Sequence, residues 1–158
     1  SVTGYVSGLD LDAESFTLTT RKGGVFTVDF SQARYRYAPQ PDLDGLLQFA
    51  VGHGLRVRVM AAGIDVSGES AIAAATIYVK LEGKVSNLDS LNHLFTLVNT
   101  AAGITSTVAY TDAASHDKVD GNLLNDSWVE TKLFGFELGE YLAHEVEVED
   151  EGEVDTDD

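Results

Sequence analysis

The chain has no cysteine, two prolines, one methionine and one tryptophan among its 158 residues. Without cysteine there is neither a disulfide nor a thiolate metal site, so packing and backbone pairing must hold the fold. No apolar run approaches the roughly 20 residues that a membrane helix needs, so membrane insertion by such a helix is not expected. Basic side chains are scarce, with 10 Lys and Arg against 26 Asp and Glu and a net charge of −16. That balance repels phosphates and argues against nucleic acid as a partner. The four histidines, His53, His93, His116 and His144, show no His-x-x-x-His or Glu-x-x-His spacing, so no zinc site of the usual kind is expected. A Gly-rich phosphate loop is also missing. With no nucleophile and base brought together by spacing, the reading is that the chain is not an enzyme.

What the chain does contain is a copy of itself. Val2–Leu18 aligns without a gap on Leu81–Leu97, and eight of these 17 positions are identical. They are Gly4, Val6, Ser7, Leu9, Asp10, Phe16, Thr17 and Leu18, facing Gly83, Val85, Ser86, Leu88, Asp89, Phe95, Thr96 and Leu97. Chance would give about one. Further on, Thr27-Val28 aligns with Thr107-Val108 and Phe30 with Tyr110. The repeat closes with Ala74, Ile77 and Val79 over Ala143, Val146 and Val148. A period this long is a domain duplication rather than a solenoid. It divides the chain into a first domain (1–80), a second domain (81–149) and an acidic tail (150–158). The junction around Lys80 and Leu81 has no Pro or Gly/Ser stretch, which predicts a short, stiff connection.

Apolar and polar residues alternate in the first copy, predicting strands at 2–9, 15–20, 24–30, 54–62 and 71–80. Leu43, Leu46, Leu47 and Val51 keep helical spacing, predicting a short helix over 43–52 that Gly52 can stop. Its equivalent in the second copy is expected around Asn122–Asp126. Gly4 and Gly83 fit a sharp bend in each first strand. The expected fold is all-β: two tandem five-stranded OB-like barrels, each with a short helix between strands 3 and 4.

The motif apolar-x-Gly-x-Val-Ser-x-Leu-Asp, followed by Phe-Thr-Leu, Val-Asp-Phe-Ser-x-Ala and a closing Ala-Thr-x-apolar-x-Val, resembles bacterial secreted OB-like repeat domains of unknown function. The tandem pair also resembles OB-domain subunits of extracellular filaments. The resemblance implies head-to-tail assembly aided by calcium, and it carries no catalytic residues. A start at Ser1 rather than Met points to a removed or trimmed upstream segment, a secretory leader being one source. The expected location is extracellular or at the cell surface.

Charge is unevenly placed. Residues 1–80 carry eight acidic and seven basic side chains, a net of −1, whereas residues 81–158 carry 18 and three, a net of −15. Oxygen ligands for calcium are offered by Asp117, Asp120, Asn122 and Asp126, and by Asp42 with Asp44; Asp and Asn also favour turns for their own sake. In the first domain, arginine and tyrosine alternate through Arg34, Tyr35, Arg36 and Tyr37. In the second, Glu145–Glu149 alternates as a strand, and nine of the last 14 residues are acidic. Complementary, non-identical surfaces of this kind give rings or open filaments rather than two-fold dimers. The expected subunit interface is Arg34, Tyr35, Arg36 and Tyr37 against Glu147, Glu149, Asp150 and Glu151, giving a homopolymer. The alternative is a secreted or periplasmic binding module for an oligosaccharide or protein, with an aromatic cleft around Tyr35, Tyr37 or Trp128.

Overall fold

The computed structural model describes residues 1–34, 42–61, 70–110, 119–120 and 123–149, and in them the alternating segments become strands. In chain order these are β1 (Val2–Asp10), β2 (Ser15–Thr19), β3 (Val25–Asp29), helix α1 (Leu43–Gly52), β4 (Arg56–Met60), β5 (Ala71–Ala73), β6 (Thr76–Asp89), β7 (Leu94–Asn99), β8 (Ile104–Ala109), β9 (Val119–Asp120), β10 (Trp128–Glu137) and β11 (Glu140–Glu149). The described chain is therefore all-β apart from one short helix, an arrangement consistent with an OB-like fold. It separates into two compact units, one spanning Ser1–Val79 and one beginning at Lys80, and the division falls inside β6.

In the first unit β1 pairs antiparallel with β2 and β4, β2 pairs antiparallel with β3, and β3 pairs parallel with β5. β4 neighbours β6. The single strand expected over 71–80 is broken at Ala74-Ala75 because the chain changes partner there. The Ala74 N–H donates to the Asp29 carbonyl at 2.9 Å, beside β3, and the Ala75 N–H to the Met60 carbonyl at 2.7 Å, beside β4. Phe16, Leu18, Val28, Leu47, Val57 and Ile77 are buried in this core.

α1 begins on Asp42, whose carboxylate accepts from the Asp44 N–H, and it buries Leu46, Leu47 and Ala50. The buried stripe is shifted from the one expected, since Val51 stands exposed. At 100° per residue, position 50 completes the face begun by 46 and 47, and position 51 turns out of it. The stop is also displaced. Gly52 remains helical, and the left-handed residue beyond the helix is Gly54, with φ 63°.

In the second unit β6 pairs antiparallel with β7, β7 with β8, and β10 with β11. β8 pairs parallel with β11, β9 pairs parallel with β11, and β10 also pairs with β6. Val85, Phe95, Leu97, Val108, Val129, Leu133 and Val146 are buried. The helix expected around Asn122–Asp126 is not formed in its described part. Leu123–Ser127 makes a turn instead, with Asp126 at φ 73°. The turn is fixed to β6, as the Val85 N–H donates to the Ser127 carbonyl and the Asp126 N–H to the Val85 carbonyl, both at 2.8 Å. Backbone bonding to a neighbouring strand has taken the groups that a helix would have used internally.

The duplication reappears as a shared pattern of bonds. Asp10 accepts from the Asp12 and Ala13 N–H groups, and Asp89 accepts from the Asn92 N–H. Glu14 and His93 both have φ above 50°, and their carbonyls accept from Phe30 and Tyr110 at 2.9 Å. The ring pairs Phe16–Phe30 and Phe95–Tyr110 stand 5.7 and 5.8 Å apart. Gly4 and Gly83 share one constraint, because a Cβ on Gly83 would sit 2.7 Å from the Val98 carbonyl oxygen, and one on Gly4 would run into the Thr19 carbonyl. In each copy the second strand crosses the first so closely that only glycine fits.

Candidate functional site

Three neighbouring strands of the second unit carry alternating charge. β6 contributes Lys80, Glu82 and Lys84, β10 contributes Glu130 and Lys132, and β11 contributes Glu145, Glu147 and Glu149. In a strand, alternate residues share a face, so each series stands opposite its own apolar partners: Leu81 and Val85, Val129 and Leu133, Val146 and Val148. The β10–β11 register sets Glu130 opposite Glu147 and Lys132 opposite Glu145. Lys132 Nζ lies 3.3 Å from Glu145 Oε2, half-buried. β6 is held against this pair by the Thr131 hydroxyl, which donates to the Leu81 carbonyl at 2.7 Å. The Asn99 side chain, donating to the Glu82 carbonyl at 3.0 Å, ties β6 to β7.

The result is a group of carboxylates around one buried ammonium. Oxygens of Glu82, Glu130 and Glu149 all lie within 4.8 Å of one another. Lys80 Nζ lies 3.6 Å from Glu130 Oε2, with the two side chains only 1% and 4% exposed. Glu149 is pushed up to about 7, first by burial and then by the charges of Glu130, Glu147 and Glu82; Lys80 works in the opposite direction. Carboxylates this close cannot all ionise cheaply. Lys80 supplies a compensating cationic charge among them. His144 is fully buried in β11, at the irregular step of the β10–β11 ladder. Burial first, and then Lys132, hold it down at about 3, so it is neutral.

Of the residues expected to bind calcium, the described ones are placed as follows. Asp117 and Asn122 lie outside the described residues. Asp120 is placed in β9, its backbone in register with Glu147. Asp126 is exposed in the turn that precedes β10. Asp42 caps α1, and Asp44 belongs to the first turn of that helix, so this pair has a structural task. Of the expected interface, Arg34 is exposed and its N–H donates to the Ala75 carbonyl at 3.0 Å. Tyr35, Arg36, Tyr37, Asp150 and Glu151 lie outside the described residues. Glu147 and Glu149 do fall on the charged face. Sequence reading missed Lys80, Glu82 and Glu130, although the Lys-x-Glu-x-Lys alternation of β6 was a visible sign. The described histidines hold separate positions: His53 ends α1, His93 lies in the β6–β7 turn and His144 in β11, while His116 lies outside the described residues.

No family model matches the chain, and no curated protein matches it. The motif resemblance to secreted OB-like repeats therefore has no family match behind it. Among solved structures, the Drosophila Unr CSD456 structure is 13% identical, with a TM-score of 0.33, and the match covers 97% of this chain and 63% of that one. The chain thus spans less than two thirds of that structure, and a likeness at this level assigns neither fold detail nor function.

Proposed function

We propose that the chain is a non-catalytic structural subunit, built of two tandem five-stranded OB-like barrels, that assembles head-to-tail into an extracellular homopolymer stabilised by calcium. The barrel reading is supported by the order of pairings, which runs β6-β7-β8-β11-β10 and returns to β6 in the second unit. The first unit repeats it with β5 and the start of β6 sharing the role of the last strand.

One observation carries the assembly reading: the glutamate face of β10 and β11 gathers the charge of an acidic half, while the other half is near neutral and bears exposed Arg34. A subunit with two unlike, complementary surfaces associates heterologously, and such contacts propagate unless a ring closes them. Added calcium offsets carboxylate repulsion at the joint, the oxygen-rich Asp117–Asp126 segment being the proposed ligand source. Light scattering on the purified chain, first with calcium and then with a chelator, tests this. The expected result is large particles that revert on chelation. A 16.9 kDa monomer under both conditions would count against the proposal.

A further inference from the structure

The β10–β11 hairpin turns through two residues, Leu138 at φ 52° and Gly139 at φ 81°. Both central residues of such a turn must be left-handed, and asparagine followed by glycine is the usual choice. Leucine suits the first position poorly on backbone grounds. Its side chain is also 98% exposed, so local folding gives no reason for it. Beside it Phe136 is 42% exposed, and its ring stands 4.8 Å from that of Tyr141 across the hairpin. Glu137 and Glu140 flank the turn. The tip is thus an apolar knob with an acidic collar.

The first unit offers the complement. Tyr5 on β1 and Val25 on β3 both stand in register with Thr19 on β2, which lies between them. They are 49% and 58% exposed. Exposed Arg21 and Lys22 stand in the β2–β3 turn next to Val25. An apolar strip with a basic border matches the knob in both respects, and opposite charges at a rim select the partner and its register.

We infer that the β10–β11 tip, through Phe136, Leu138 and Tyr141, docks on the Tyr5–Val25 strip of a second copy, with Glu137 and Glu140 meeting Arg21 and Lys22. The inference rests on the head-to-tail reading and names a contact within it. A leucine that is unfavourable for the turn and exposed in the single copy becomes the buried centre of the joint, where large apolar side chains contribute most.

Leu138→Asn separates folding from association, because asparagine suits the left-handed position. The variant is expected to melt roughly 2–4 °C higher than the parent and to associate about tenfold more weakly in sedimentation equilibrium. Arg21→Glu with Lys22→Glu should weaken association similarly, and adding Glu137→Lys with Glu140→Lys in the same chain should restore it. Undiminished polymer in Leu138→Asn would overturn this contact while leaving head-to-tail assembly standing. A parent chain that never associates would overturn both. Parent chain that pellets with phosphatidylcholine vesicles, lost in Leu138→Asn while self-association persists, would assign the tip to lipid instead.

Discussion

Replacing Lys80 with methionine is expected to destabilise the second unit by about 3–5 kcal/mol, the range for removing one partner of a buried ion pair. Methionine keeps most of the aliphatic volume, so the loss reports charge rather than a cavity. Glu130 would remain almost fully buried with Glu82 and Glu149 near it and the Lys80 ammonium gone. The loss should depend on pH in a definite direction. Glu149 is held up at about 7 against its ordinary 4.5, so the folded chain keeps a proton there that the unfolded chain releases. Its contribution to stability is complete below 4.5 and is lost as pH rises through about 7. Urea unfolding of the Lys80→Met variant should therefore show its largest deficit at pH 8 and a smaller one at pH 5. Adding Glu130→Gln to Lys80→Met should recover part of the deficit, because one of the crowded carboxylate charges is then gone. A variant as stable as the parent at pH 8 would mean that Lys80 does not neutralise this cluster.

The second large effect has the opposite sign. His144 is fully buried and depressed to about 3, so below its ordinary 6.5 the unfolded chain takes up a proton that the folded chain refuses. Stability is present in full above pH 6.5 and is lost as pH falls toward 3. Over that window the loss is on the order of 4–5 kcal/mol. Carboxylates elsewhere titrate in the same range, so the parent must be compared with His144→Leu. The difference between the two unfolding free energies from urea titration should change by most of that amount between pH 7 and pH 3.5, with the variant relatively favoured in acid. Parallel curves would show that His144 is protonated in the fold without penalty. Between them, His144 and Glu149 place greatest stability in mildly acidic to neutral solution.

Local physics was legible in the sequence wherever it was local. Alternation located β1 to β4 to within two residues at each end, and the Leu43–Gly52 helix matches its expected span. The recurrence of Gly4 and Gly83, and of Asp10 and Asp89, marked positions now seen to serve close strand crossing and turn capping. The helix expected near Asn122–Asp126 failed because its backbone groups are taken by β6, a partner some 40 residues earlier in the chain. Lys80, Glu82, Glu130 and Glu149 were not recognised as one group for the same reason. They meet only because β10 pairs with both β6 and β11, and no spacing along the chain announces that. Glu147 and Glu149 were singled out by acidity, but the buried ammonium that gives their face its character was not. Leu138 was passed over because exposure and a left-handed backbone are invisible until the hairpin is built.

Head-to-tail association is tested most directly by blocking one end at a time. One variant carries Arg34→Glu and Arg36→Glu, and the other carries Glu147→Lys, which keeps Glu149 in its cluster with Lys80. Each alone should lack one of the two unlike surfaces and remain monomeric in calcium. Mixed in equal amounts, they retain one intact joint between them, so they should form a particle of twice 16.9 kDa and grow no further. Polymer from either variant alone, or a mixture that stays monomeric while the parent assembles, would contradict the account.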